Sequence, residues 1–358
     1  MSLTQVKQSN IDESASQLYG MRNRIINGDM RIDQRNAGAA ITVNTGNAFY
    51  PMDRYFGAGT NSAGVFTIQQ SSTAPAGFNS SALITVTTSA TPSGTDNYRF
   101  NQAVEGLNVA DLNWGSVNAQ AVTLSFWVRS SLTGTFGGAL QNSDKSRTYP
   151  FSYTISSANT WEQKTITVSG DTTGTWLTTN GIGVLVVWCL GAADRLGTAG
   201  SWSSTRYDGA TGQTNLISTN GATFYITGVQ LEVGSVATPF EHRQYGTELA
   251  LCQRYFQRYV TVSTNKRMAV GGWANSTEGQ CLIHPPVTMR STPSLSIPVR
   301  GQALQEGIAW RNITSNPGSE LSSDAFSVAY VVASSTASNG QVSYIGGSDF
   351  DYQFSAEL

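Results

Sequence analysis

Period-two alternation of apolar and polar side chains dominates the chain. In Ala121-Val-Thr-Leu-Ser-Phe-Trp-Val128, the residues Val122, Leu124, Phe126 and Val128 fall on one side, as in a half-buried strand. Ala82 to Thr88 does the same through Ile84 and Val86, and Lys164 to Val168 through Ile166 and Val168. Gly183-Val-Leu-Val-Val-Trp-Cys-Leu190 is apolar on both faces, which predicts a central strand covered by a second layer or a neighbouring subunit. From Phe224 to Val233 the parity changes: Phe224 and Ile226 share one side, and Val229, Leu231 and Val233 the other. The switch falls at Thr227-Gly228, where an extra residue in a β-bulge returns the apolar side chains inward. Strands of this length between Gly-rich turns predict a jelly-roll-type β-sandwich over residues 23–242.

The rhythm breaks between Arg243 and Tyr259. Leu249, Cys252, Phe256 and Tyr259 recur at three to four residues, with Thr247 available as a cap and Glu248 in the first turn. A short connector helix is therefore expected within 243–260. Strands then return, as in Phe326-Ser-Val-Ala-Tyr-Val-Val332, broken by Pro293, Pro298 and Pro317, and predict a second, smaller β domain over 261–358. Residues 1–22 are polar and aperiodic, a leader that needs a partner to hold it. No steady internal period appears, which argues against a β-helix.

Composition sharpens this all-β reading. Charged residues make up only 12% of the 358-residue chain, so hydroxyl and amide side chains supply most of the polarity. The formal net charge is -2 and no basic run is present, which excludes a nucleic-acid groove built on clustered Lys and Arg. The longest apolar stretch, Val184 to Leu190, is too short to insert into a membrane, and no signal peptide is visible. The three cysteines, Cys189, Cys252 and Cys281, have neither a zinc spacing nor an even count and are read as buried thiols of a chain made in a reducing cytoplasm.

A neutral, hydroxyl-rich surface suits a sugar partner. Such a site needs aromatic faces to stack on C–H groups, and amides or carboxylates for hydroxyls. The turn-rich stretch Ser201-Trp-Ser-Ser-Thr-Arg-Tyr-Asp208 offers Trp202, Arg206, Tyr207 and Asp208, and Trp176 is a second loop aromatic. The competing reading is that these rings seal the sandwich ends or an interface between subunits. Trp127, Trp161 and Trp188 lie in or beside strand-like runs and are read as core.

Catalysis finds little support. His242 and His284 are the only histidines, and no Gly-X-Ser-X-Gly elbow accompanies them. Paired carboxylates for glycoside hydrolysis, such as Glu105 with Asp111 or Asp194 with Asp208, can be drawn in any chain with 23 acidic residues. The expectation is a binding protein without enzymatic activity and without a cofactor.

Several segments resemble a recurring phage and prophage tail-fibre family: Asn23-Arg-Ile-Ile-Asn-Gly-Asp-Met-Arg-Ile-Asp-Gln-Arg35, Tyr50-Pro-Met-Asp-Arg-Tyr55, Thr123-Leu-Ser-Phe-Trp-Val-Arg129 and Thr160-Trp161-Glu162. The most specific is Ala222-Thr-Phe-Tyr-Ile-Thr-Gly-Val-Gln-Leu-Glu-Val-Gly-Ser-Val-Ala-Thr-Pro-Phe-Glu-His-Arg243, followed by Leu249-Ala-Leu-Cys-Gln-Arg-Tyr-Phe256. The resemblance covers roughly residues 23 to 260. It implies a carbohydrate-binding-module-like sandwich, usually homotrimeric, at the end of a virion tail fibre. Its implied partners are other virion tail proteins and a host surface polysaccharide or lipopolysaccharide. Two other readings stay open: a non-binding virion piece (fibre base, adaptor or decoration) and a polysaccharide depolymerase. The sandwich is also similar to bacterial modules whose structural calcium is held by a first-strand Asn-Gly-X-X-Glu and a last-strand Asp pair. Here Met30 stands near the Glu position and Thr227-Gly228 replaces the Asp pair, leaving Asp29 and Glu232 as the nearby carboxylates. No metal is therefore expected.

Overall fold

The computed structural model describes residues 21–60, 63–261, 266–305, 310–332, 337, 341–347 and 349–358. The leader expected over residues 1–22 lies outside them apart from Met21 and Arg22. The chain divides into two compact units, Met1–Gln244 and Tyr245–Leu358.

The first unit is a two-sheet sandwich of jelly-roll type with six strands in each sheet. Sheet one runs β1 (Ile41–Val43), β4 (Val65–Ser71), β5 (Ser81–Thr88), β14 (Thr223–Val233), β7 (Val122–Ser130) and β10 (Glu162–Val168). Sheet two runs β2 (Gly46–Met52), β3 (Tyr55–Gly59), β6 (Asn97–Glu105), β11 (Ile182–Ala192), β8 (Gly134–Gln141) and β9 (Thr148–Ile155). All these pairings are antiparallel. The inward parity of each strand supplies one continuous core: Val122, Leu124, Phe126 and Val128 of β7 meet Val184, Val186, Trp188 and Leu190 of β11 there. Burying side chains of this size contributes roughly 1.5–3 kcal/mol apiece.

The parity switch in β14 is a bulge. Its register against β7 shifts between Thr227 and Gln230, so Phe224, Ile226, Val229 and Leu231 all reach the core. Gly228 has φ +60°, and a Cβ there would lie 2.6 Å from the Phe78 ring and 3.1 Å from Trp127. Only glycine adopts this backbone at no steric cost while two rings close over it. The segment after Asn23 docks on the same bulge. The Asn23 amide donates to Val229 O at 2.9 Å and accepts from Ile25 N and Leu231 N, while Val229 N donates to Gly28 O. Arg243 donates to Ile25 O and Asn23 O, closing the segment from the other side. Two of the segments that carry the resemblance, Asn23–Arg35 and Ala222–Arg243, are thus one another's hydrogen-bond partners.

The second face of β11 is covered from within the chain and needs no neighbouring subunit. Leu185, Val187 and Cys189 are buried there. Over them passes a segment containing the two-residue strands β12 (Leu196–Gly197) and β13 (Gly209–Ala210), which pair in parallel. A Cβ on Gly209 would sit 2.8 Å from that of Cys189, which shows how closely this cover lies.

The second unit opens with α1 (Tyr245–Gln253), the α-helix among the described residues. It starts before Thr247 and stops well short of Tyr259, because Phe256 to Thr261 form a strand. That strand, β15 (Phe256–Thr261), pairs with β24 (Phe350–Ser355), which also pairs with β18 (Ser294–Val299). Aromatic and β-branched residues favour pleated backbone once a partner strand is present. A second sheet runs β17 (Glu278–Ile283), β16 (Lys266–Trp273), β23 (Val342–Gly347), β19 (Gln302–Gln305), β20 (Trp310–Ser315) and β22 (Phe326–Val332), with β21 (Ser319–Leu321) added on β22. Pairing of β17 with β22 closes these strands into a small barrel that leaves few free edges. Trp273, Phe326, Tyr330, Tyr352 and Phe354 fill this unit's own core.

Candidate functional site

Trp176 and Trp202 come together, but onto each other and not onto an open face. With Trp114 they form three edge-to-face pairs at centroid distances of 4.6, 5.3 and 5.4 Å, and Tyr149 adds a fourth contact to Trp202 at 5.2 Å. Each indole N–H already donates to a backbone carbonyl: Trp114 to Gln120, Trp176 to Thr173 and Trp202 to Ser169. The chain around Trp202 runs along the free edge of β9, with Ser203 and Thr148 exchanging backbone bonds and Gly200 N donating to Pro150 O. It therefore blocks an edge that would otherwise be open to another strand. Beside Tyr149 lies an open groove of about 360 Å³ between β9 and β10, floored by Phe151 and Ile166.

Asp208 faces inward as the hub of a buried charge cluster. Its carboxylate is wholly buried and accepts from Asn97 Nδ2 and Gln141 Nε2, each at 2.7 Å. Arg206 Nη2 lies 3.2 Å away, and one nitrogen each of Arg99 and Arg195 lies 3.6 Å away. Burial pushes the carboxyl up, but Arg99, Arg206, the Gln141 bond and Arg195 outweigh it and hold Asp208 below the ordinary carboxylate range. An ion so enclosed cannot meet sugar hydroxyls, which corrects its expected ligand-facing role. Tyr207 is half-buried with its ring over Gly197.

The outer face of sheet one holds the residues that sequence reasoning missed. Of the three tryptophans read as core, only Trp188 is fully buried; Trp127 and Trp161 are half-exposed. Because Phe126 and Val128 point inward, Trp127 points outward with Arg129. The register places Gln69, Leu83, Tyr225 and Arg129 in one row across four strands. The next row holds Thr227, Trp127 and Gln163. Trp161 packs edge-to-face on Tyr225 at 6.0 Å, and the Arg129 guanidinium lies 5.1 Å above the same ring. Half-exposed aromatic rings, a stacked cation and neighbouring amides and hydroxyls on a rigid sheet can stack on sugar C–H faces and pair with hydroxyls. The parity of Thr123-Leu-Ser-Phe-Trp-Val-Arg129 carried this signal, since Trp127 occupies the polar side of the alternation.

Of the other carboxylates singled out in the sequence, Asp194 is exposed and the rest are buried or paired. Glu105 is buried on β6, and the exposed Asp111 pairs with Arg24 at 2.6 Å. Glu232 accepts from Gln230 Nε2, Thr238 N and Thr238 Oγ1 and lies 3.4 Å from Arg22, while Asp29 lies 3.2 Å from Arg31. Their oxygens are turned to donors, a poor fit to calcium. No group of three or more His, Cys, Asp or Glu side chains that could hold a metal ion occurs among the described residues.

No protein-family model matches the chain, and no curated protein does. Solved structures to which it is similar include the enzymatically active domain of tailspike protein 4 of bacteriophage CBA120, with a TM-score of 0.31, 13% identity, and coverage of 59% of this chain and 21% of that one. Another is a family 61 carbohydrate-binding module in complex with β-1,4-galactotriose (TM-score 0.30, 11% identity, 60% and 100% covered). A third is a family 11 carbohydrate-binding module from Clostridium thermocellum in complex with a β-1,3-1,4-mixed-linked tetrasaccharide (TM-score 0.29, 9% identity, 56% and 97% covered).

Proposed function

We propose that this protein is a non-enzymatic, glycan-binding attachment module of a phage tail fibre, which contacts host surface polysaccharide or lipopolysaccharide through the outer face of sheet one. The observation that carries the reading is the row-and-register convergence of Trp127, Trp161 and Tyr225 with Arg129 and Gln163 on one face. Weak single sites suffice when several copies share one particle, because linkage raises effective concentration. A homotrimer within the virion fits this logic.

The test is binding of the purified full-length protein to host cells and to isolated surface polysaccharide. Trp127→Ala and Tyr225→Ala should each weaken binding about tenfold, equivalent to ~1.4 kcal/mol. Trp202→Ala, beside the β9–β10 groove, should change it little. No binding by the parent protein, or unchanged binding by Trp127→Ala, rejects the site; a loss confined to Trp202→Ala moves it to the groove. Release of reducing ends from the glycan would reject the non-enzymatic reading.

A further inference from the structure

The charge cluster around Asp208 is out of balance. Arg99 on β6 and Arg195 and Arg206 on the covering segment all converge on this one carboxylate. Three cations thus share one anion. The shortfall appears atom by atom as well: Nε of Arg99 and Nε of Arg206 are buried donors without an acceptor. Arg99 is only 5% exposed, so water does not readily supply what is missing. Arg195 and Arg206 each give Asp208 a single nitrogen, and neither guanidinium has another acceptor among the described residues. Their side chains are 22% and 29% exposed, so the cluster opens to solvent on their side. Like charges held together at low dielectric repel, and a buried donor left without an acceptor is destabilising. An oxyanion entering past Arg195 and Arg206 relieves both.

We propose that Arg99, Arg195 and Arg206 form an anion subsite that takes the oxyanion of a charged glycan, a sugar carboxylate or a sugar phosphate, with Asp208 holding the guanidiniums in place. Guanidinium forks match the paired oxygens of either group. The subsite lies over the outer face of sheet two, whereas the aromatic platform lies on sheet one, so neither depends on the other.

Thermal unfolding of the full chain at constant ionic strength tests it, with glucuronate, inorganic phosphate, glucose and chloride as additives. A ligand at ten times its Kd should raise Tm by about 3 °C or more, and saturably. Saturation by glucuronate alone assigns an acidic sugar, and saturation by phosphate alone a phosphorylated one. Glucose should give no shift. Arg195→Gln with Arg206→Gln should weaken the response at least tenfold, and Arg195→Gln alone should weaken it as well. Trp127→Ala should leave it intact. Shifts no larger than those of chloride, or shifts equal in the parent and both variants, overturn the proposal.

Discussion

Asp208 illustrates how burial decides a side chain's role. Its carboxylate sits among three guanidiniums, so removing its charge strands cations, the buried Arg99 above all. Breaking a buried pair in this way costs about 3–5 kcal/mol. Asp208→Asn should therefore lower the urea midpoint markedly near neutral pH. The sign of the pH dependence follows from the depressed carboxyl. Its stabilisation is complete above the unfolded value of 3.8 and is lost as pH falls through the lower folded value. The gap between parent and Asp208→Asn should stay constant from neutral pH down to about the unfolded value of 3.8 and narrow below it; a gap that widens in acid would contradict the ion cage. The thiols behave consistently with burial. It pushes Cys189 up to about 12 and Cys281 up to about 11, and Cys252 is buried as well, so all three are unreactive core residues.

At the scale of the element, β7 separates scaffold from surface one residue at a time. Phe126 is fully buried and stacks edge-on against Tyr153 and Trp188, at 5.1 and 5.8 Å. Its neighbour Trp127 faces out. Phe126→Ala should cost about 3–5 kcal/mol through the cavity it leaves, and Trp127→Ala less than half of that. Chemical denaturation of the two variants checks this, and equal losses would place Trp127 in the core. The helix shows the opposite lesson. Leu249, Cys252, Phe256 and Tyr259 share a helical spacing, yet the chain leaves the helix after Gln253. Pairing across β15 and β24, reinforced by two Arg258 bonds to Asp351 at 2.9 Å each, outweighs local periodicity.

For the whole molecule, each unit has its own apolar core: that of the sandwich centres on Phe126 and Trp188, and that of the barrel on Trp273 and Tyr330. A unit with a complete core folds as a unit. A chain ending at Gln244 should unfold cooperatively and keep both the aromatic face and the Asp208 cluster. Calorimetry of the truncated chain, with the anion titration repeated on it, checks this; a broad, non-cooperative transition would show that the barrel is needed for the sandwich to hold. The rings over the β9 edge belong to this scale too, since Trp114, Trp176 and Trp202 lie far apart in sequence and meet only when the loops close over one end of the sheets.

Strand-forming runs, the inward side of each strand and the β14 bulge were legible in the sequence. They follow from a period of two, which a short window of residues carries in full. The outward position of Trp127 follows from the same rule, although its place in a strand-like run led to a core reading. Tertiary structure alone decided which outward side chains share a row, because register depends on hydrogen bonds between strands distant in the chain. It decided also that Asp208 turns inward, that the chain itself covers β11, and that β17 and β22 close a barrel. Those outcomes rest on which segments find each other in space, where burial and charge are settled between residues that no local pattern connects.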